Sequence, residues 1–394
     1  MTSGSGATAP GADAASVVPP AGPRWAARPV SGRLPDFPWD GLVPMAERAR
    51  EHPGGIVDLS VGTPVDPTPA VVREALAAAA DAPGYPLTVG RSELRAACVD
   101  WLARRFGVTG LTEAHVLPTI GSKELIASLA GHLGLGHGDT VVLPELAYPT
   151  YEVGAALTGA AAVASDSLSA LGPQPVSLVW VNSPSNPTGR VLPVDHLRKM
   201  VAWCRERGAL LVSDECYLES SWEEPRPWSV LHPYVCGGDL TGILAVHSLS
   251  KRSNLAGYRA AFVAGDRAAV AELLAVRKNL GLMVPAPQQV AMQAALEDDV
   301  HVDEQHARYA ARRAVLRRAL EGAGFRIDHS EASLYLWATR DEPCRETVAW
   351  LADRGILVAP GDFYGRRGAQ HVRVALTATD ERVAAAAERL SAQA

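Results

Sequence analysis

The chain has 394 residues, 47% of them apolar, which is enough for two domains or for one large domain with a smaller one attached. Its 37 basic and 43 acidic side chains leave a formal charge of −6, and this disfavours nucleic acid as a partner. No apolar run reaches the roughly 18 residues of a membrane span, and the five cysteines (Cys98, Cys204, Cys216, Cys236 and Cys344) lack C-x-x-C or zinc spacing, so free thiols in a reducing cytoplasm and no metal are expected.

Residues 1–30 are rich in Ala, Gly, Pro and Ser and have no signal-peptide core, so a disordered tail is expected. Strand-like apolar runs follow at 116–118, 140–143, 160–164, 176–181, 210–212, 243–246 and 260–264, with helical patterns such as His196 to Arg207 between them. Short strands alternating with helices predict a mostly parallel sheet covered on both faces. After Gly281 the pattern changes to a long charged helix, Asp303 to Glu321, then to Leu334-Tyr335-Leu336-Trp337 and Val372-Arg373-Val374, expected as a smaller α+β domain. Gly134-Leu135-Gly136-His137-Gly138 lacks the Rossmann spacing and reads as a loop.

The run Ser248-Leu249-Ser250-Lys251, with Arg259 eight residues after the lysine, sets a nucleophilic amine beside groups suited to an anion. A lysine amine condenses with a carbonyl, and two hydroxyls and a guanidinium fork are good phosphate partners, so the run suggests a phosphate-bearing aldehyde held as a Schiff base. Lys251 would lie in a loop at the carboxyl end of a strand, where ligands gather in open α/β sheets. By itself the run also reads as an exposed basic loop. Ser248 and Lys251 satisfy Ser-x-x-Lys as well, but the Ser-Asp-Asn and Lys-Thr-Gly that an acylating enzyme needs are absent from the sequence.

Two upstream motifs decide between these readings. Asn182-Ser183-Pro184-Ser185-Asn186-Pro187-Thr188-Gly189 and Ser213-Asp214-Glu215-Cys216-Tyr217 each follow an apolar run. An aspartate at a strand end commonly caps a helix, but a pyridine-ring cofactor needs a carboxylate to keep its ring nitrogen protonated, and Asp214 is the candidate. Asn186 and Tyr217 can each donate to a phenolate oxygen on such a ring.

With these motifs the chain resembles the fold-type I pyridoxal-phosphate enzymes of the class I/II aminotransferase group, from about Asp58 to Leu376. The resemblance implies an α/β fold, with a mostly parallel seven-stranded large domain and a smaller α+β domain. It implies that Lys251 carries pyridoxal 5'-phosphate as a Schiff base, that Asp214 pairs with the ring nitrogen, and that Asn186 and Tyr217 bind the ring hydroxyl. Ser248, Ser250, Arg259 and the Gly121-Ser122-Lys123 helix start would hold the phosphate, the latter through its backbone N–H groups. Tyr148 would stack on the ring, Arg373 would clamp the substrate α-carboxylate beside Gly62, and Tyr85 would reach the phosphate of a neighbouring subunit in a homodimer. The implied layout is a tail at 1–30, a segment at 31–60 joining the small domain, a large cofactor-binding domain at 61–280 and a small domain at 281–394.

The stretches from Asp58 to Pro67, Pro144 to Tyr151, His247 to Arg259 and Gly361 to Gly365 further resemble actinobacterial N-succinyldiaminopimelate aminotransferases. This implies amino transfer from glutamate to N-succinyl-2-amino-6-ketopimelate in cytoplasmic lysine and diaminopimelate synthesis. Aspartate, aromatic or LL-diaminopimelate substrates remain open, as does carbon–sulfur lysis on the same residues. A cofactor-binding transcription regulator would need a DNA-binding module that residues 1–30 are too few to form. Lys123 has two readings. A cation at a helix N-terminus opposes the helix dipole, so it either reaches out to solvent or meets a distal carboxylate of a long substrate.

Overall fold

The computed structural model describes residues 30–224 and 226–392, so the expected tail lies outside the described residues except for Val30. Val30–Arg33 form a 3-10 turn in a separate unit, and the chain from Pro35 onward packs as a second.

Within that second unit a two-residue strand, β1 (Val57–Asp58), precedes the helices Ala70–Ala78 and Ser92–Phe106. Then come β2 (Val116–Thr119), β3 (Thr140–Leu143), β4 (Ala161–Ala164), β5 (Leu178–Asn182), β6 (Leu210–Asp214), β7 (Ile243–Ser248) and β8 (Ala261–Gly265). They form one seven-stranded sheet in the order β2-β8-β7-β6-β5-β3-β4, and only β8 runs against its neighbours. These are the seven runs expected as strands, and the α/β fold with a mostly parallel sheet is as expected.

Strands such as β3, β5, β7 and β8 read as near-continuous apolar runs because both of their faces are buried, whereas the edge strand β4 is largely exposed. The pleat sends alternate residues to opposite cores. Val179, Val181, Leu211 and Phe262 join one cluster with helix Ser92–Phe106, whereas Leu178, Trp180, Val212 and Val263 join another with Leu125 and Leu129 of helix Ser122–His132.

Later in the chain come β9 (Arg326–Asp328), β10 (Tyr335–Thr339), β11 (Ile356–Leu357), β12 (Ala359–Pro360) and β13 (His371–Ala375), and all but β11 form a second, four-stranded sheet. Its antiparallel order is β12-β13-β10-β9, while β11 pairs in parallel with β1. Leu42, Val57 and Leu59 share a core with Leu316, Leu336, Leu351 and Leu390, so residues 42–59 pack against the C-terminal part of the chain. The helix Ala286–Glu297, beyond the expected boundary at 280, puts Ala291, Met292 and Leu296 into the core of the seven-stranded sheet.

The crossing between the sheets is fixed by backbone bonds. Leu59 donates to Leu357 O at 2.8 Å, and Leu59 O accepts from Ala375 N at 2.9 Å. Bidentate bonds from Arg312 to Asp66, both at 2.7 Å, hold the chain on the far side of the crossing.

Candidate active site

The carboxyl ends of β5, β6 and β7 lie side by side, with Asn182 paired to Asp214 across β5 and β6. Asp214 is 6% exposed. Its Oδ2 accepts from Tyr151 Oη at 2.7 Å and its Oδ1 from Cys216 N at 3.2 Å, while its carbonyl accepts from Asn182 Nδ2 at 2.8 Å. Burial pushes the carboxyl above its usual range, and the bonds from Cys216 and Tyr151 oppose the shift. The ring of Tyr151 stacks on Trp180 at 4.7 Å and meets the edge of Tyr148 at 5.8 Å. Burial also raises the Tyr148 hydroxyl, to about 12.

Lys251 was expected in a loop but lies in a one-turn helix, Leu249–Arg252, because Ser248 caps it by accepting from Ser250 N at 3.2 Å. The lysine Nζ donates to the carbonyl of Gly62, brought there by the crossing segment. Burial lowers its pKa, and the charges of Arg373 and Arg259 lower it further against opposing effects of Tyr335 and Cys216. Arg259 donates to Ala256 O at 2.7 Å, and its guanidinium lies where a β-carbon on Gly121 would be. Gly121 takes a φ of +96°, so both its backbone and its missing side chain suit the close approach. Helix Ser122–His132 begins at the next residue, and its Ser122 side chain lies beside Cys216. The Gly121-Ser122 helix start and the segment Ser248 to Arg259, far apart in sequence, therefore meet where Arg259 lies against Gly121.

Arg373 is 2% exposed and faces no carboxylate among the described residues. Its NH1 donates to Asn186 Oδ1 at 2.8 Å and its NH2 to Ser60 O at 2.6 Å, while Nε is buried without a partner. The guanidinium lies over Tyr335 and Tyr364, at 4.0 and 5.0 Å from the ring centres. Tyr217 Oη is 2.9 Å from Tyr335 Oη. Two expected residues lie apart from this group. Tyr85 is 98% exposed, and Lys123 holds its Nζ 5.4 Å from the ring centre of half-exposed Phe37.

Residues 55–390 match the family model for aminotransferase class I and II. The chain belongs to that family. It is 66% identical to a probable aminotransferase of Mycobacterium tuberculosis over 92% of this chain and 86% of that protein. It is 61% identical to the 4-dedimethylamino-4-oxo-anhydrotetracycline transaminase of Streptomyces rimosus, over 91% and 99%. A solved Thermus thermophilus structure, a probable N-succinyldiaminopimelate aminotransferase, superposes with a TM-score of 0.81 at 28% identity, covering 90% of this chain and 99% of that one.

The aminotransferase therefore works with pyridoxal 5'-phosphate, and the described residues fit that group. Asp214 is a buried carboxylate with no cationic partner, as a pyridinium nitrogen requires. The closeness of Arg259 to Gly121 puts a cation against a helix start, an arrangement suited to a phosphate.

Sequence reasoning passed over Tyr151, Tyr335 and Ser60. Tyr151 had a readable signal, since it follows Tyr148 by three residues at the start of helix Thr150–Thr158. Tyr335 and Ser60 had none, because each gains its partner from more than a hundred residues away.

Proposed function

We propose that the aminotransferase exchanges an amino group between glutamate and an N-acylated 2-amino-6-ketopimelate, with the N-succinyl compound as its substrate. The observation that carries the acid-binding part is Arg373, a buried guanidinium with no carboxylate of its own beside the reactive lysine. The pimelate part is supported by the likeness to the Thermus structure and by Lys123, which places a second cation above Phe37.

In this reading Lys251 holds the cofactor aldehyde and Asp214 pairs with the pyridinium. Tyr217 and Asn186 would hold the ring oxygen, and Tyr148 would stack on the ring. Gly121, Ser122, Ser248, Ser250 and Arg259 take the phosphate, completed in a homodimer by the partner copy's exposed tyrosine at position 85. Bound pyridoxal phosphate supplies an electron sink for charge developing at the substrate α-carbon. Arg373 fixes the α-carboxylate through a two-bond fork, and Gly62 leaves room beside it. Lys251, whose pKa is lowered by burial and by the two arginines, accepts the α-proton as a neutral amine. Asn186 keeps the guanidinium in plane through its 2.8 Å bond.

A second reading is favoured by the Streptomyces rimosus relative, whose name denotes a tetracyclic ketone. Phe37, Trp39 and Phe363 form an aromatic chain with ring centres 5.6 and 5.7 Å apart, suited to a flat hydrophobic acceptor. The deciding experiment is a panel of amino donors and keto acceptors, including cystathionine with pyruvate detection, followed in single half-reactions. Fast conversion with glutamate and N-succinyldiaminopimelate supports the proposal. Preference for the polycyclic ketone, for aspartate, for aromatic amino acids or for unacylated LL-diaminopimelate would overturn it.

A further inference from the structure

We infer that Tyr335 is a positioning residue for the cofactor ring: its hydroxyl donates to that of Tyr217 and so turns the single proton of Tyr217 toward the ring oxygen. The inference rests on the role given to Tyr217 above.

Both tyrosines are buried, at 3% and 6% exposure, and their hydroxyls are 2.9 Å apart with the rings edge to face. A phenol has one proton to donate but can accept as well. If Tyr217 donated to Tyr335 it would have nothing left for a ligand, whereas if it accepts from Tyr335 its own proton is free.

The direction follows from what surrounds each ring. On β10 and β13, Tyr335 stands opposite Ala375 and Trp337 opposite Arg373, so Tyr335 and Arg373 are diagonal neighbours on one face. The guanidinium carbon lies 4.0 Å from the Tyr335 ring centre. The charged and titratable groups near Tyr335 include Arg373, Lys251, Tyr217 and Cys216, with Tyr148, Tyr309 and Tyr364 around them. Burial pushes the Tyr335 hydroxyl up, but the charge of Arg373 foremost opposes burial, and the hydroxyl is held below the usual phenol range. Burial, and then Tyr335 itself, raise Tyr217 well above that range. A cation seated over the Tyr335 ring favours charge developing on that phenol and makes it the better donor, so we assign the bond as running from Tyr335 to Tyr217.

Gly62 supplies an independent observation. Its φ is not in the left-handed region, yet a β-carbon on it would meet Oη, Cε1 and Cζ of Tyr335. The glycine is therefore needed to admit the Tyr335 ring, on the same residue whose carbonyl accepts from Lys251. Gly62 on one side and Arg373 on the other flank the ring, with its hydroxyl on Tyr217.

The test uses Tyr335→Phe, Tyr217→Phe and the double variant as holoenzymes, with melting curves to verify folding. Two quantities are read: the pH midpoint of the bound cofactor's visible absorbance change, and the dissociation constant of pyridoxal phosphate from apoprotein. A donor favours the ionised ring oxygen, so weakening it raises the midpoint. Tyr335→Phe should raise the midpoint by about half a unit and weaken cofactor binding roughly 2- to 10-fold. The double variant should match Tyr217→Phe alone, because Tyr335 acts through it. Gly62→Ala, which pushes the ring aside, should shift the midpoint in the same direction, and should add nothing in a Tyr217→Phe background. An unchanged midpoint in Tyr335→Phe, or a double variant showing the sum of the single shifts, would overturn the inference. A wild-type protein giving no visible band with pyridoxal phosphate would instead remove the reading on which it rests.

Discussion

The hydroxyl of Tyr151 donates to Oδ2 of Asp214 at 2.7 Å, and its ring is pinned by stacking on Trp180. The carboxylate is thus held by a neighbour rather than by a cation, which keeps its charge available for a ligand. Tyr151→Phe preserves the stack and removes the bond. A hydrogen bond to a charged group contributes about 1.5–3 kcal/mol, so the variant should bind pyridoxal phosphate at least tenfold more weakly by absorbance titration of apoprotein, with its melting temperature little changed. Equal affinities would show that Cys216 N alone positions Asp214.

Lys251→Ala should abolish turnover. General-base catalysis is worth about 10²–10⁴-fold, and loss of the cofactor anchor adds to that. Borohydride reduction of wild type followed by peptide mapping should place the label on Lys251. Label on another lysine, with activity retained in the alanine variant, would refute the assignment.

Arg373→Lys keeps the positive charge but loses the fork that bonds Asn186 and Ser60. Both half-reactions use an α-carboxylate, so both should slow together. Breaking a buried charged pair costs about 2 kcal/mol or more, roughly 30-fold in kcat/KM. Slowing of the glutamate half-reaction alone would mean that Arg373 reads something other than the shared carboxylate.

Glu215, next to Asp214, is fully buried and faces His247 at 3.6 Å. Burial pushes its carboxyl up to about 7 and pushes His247 down to about 3, so both are neutral in mildly acidic solution. A folded-state pKa raised above the unfolded value of 4.5 gives stability present below 4.5 and lost as pH rises through about 7. Glu215→Gln cannot ionise and escapes that loss. The difference in stability between variant and wild type should therefore shift in the variant's favour by about 1–3 kcal/mol between pH 5 and pH 8, as read from denaturant melts across that range. A flat difference would place the carboxyl's titration elsewhere.

The large sheet was legible because strands such as β5 and β7 are buried on both faces and leave uninterrupted apolar runs. Asp214, Asn186, Lys251 and Arg259 were legible because polar groups at the ends of such runs stand out. Tyr335 was hidden for the opposite reason: within Leu-Tyr-Leu-Trp it reads as core, and its hydrogen-bond partner is 118 residues away. The pairing of β1 with β11 could not be read either, since two-residue strands carry no periodicity. The one-turn helix around Lys251 depends on a single serine cap, a signal shared with ordinary turns.

The bond from Arg373 to Ser60 closes a span of 313 residues. A chain emerging from the ribosome is made N-terminus first, and domains tend to fold as they emerge. The strands that lead to Asp214 and Lys251 can therefore assemble while β13 is still untranslated, and Arg373 arrives last. A nascent or C-terminally truncated chain would present Lys251 without Arg373, and Gly62 would have no Tyr335 to pack against.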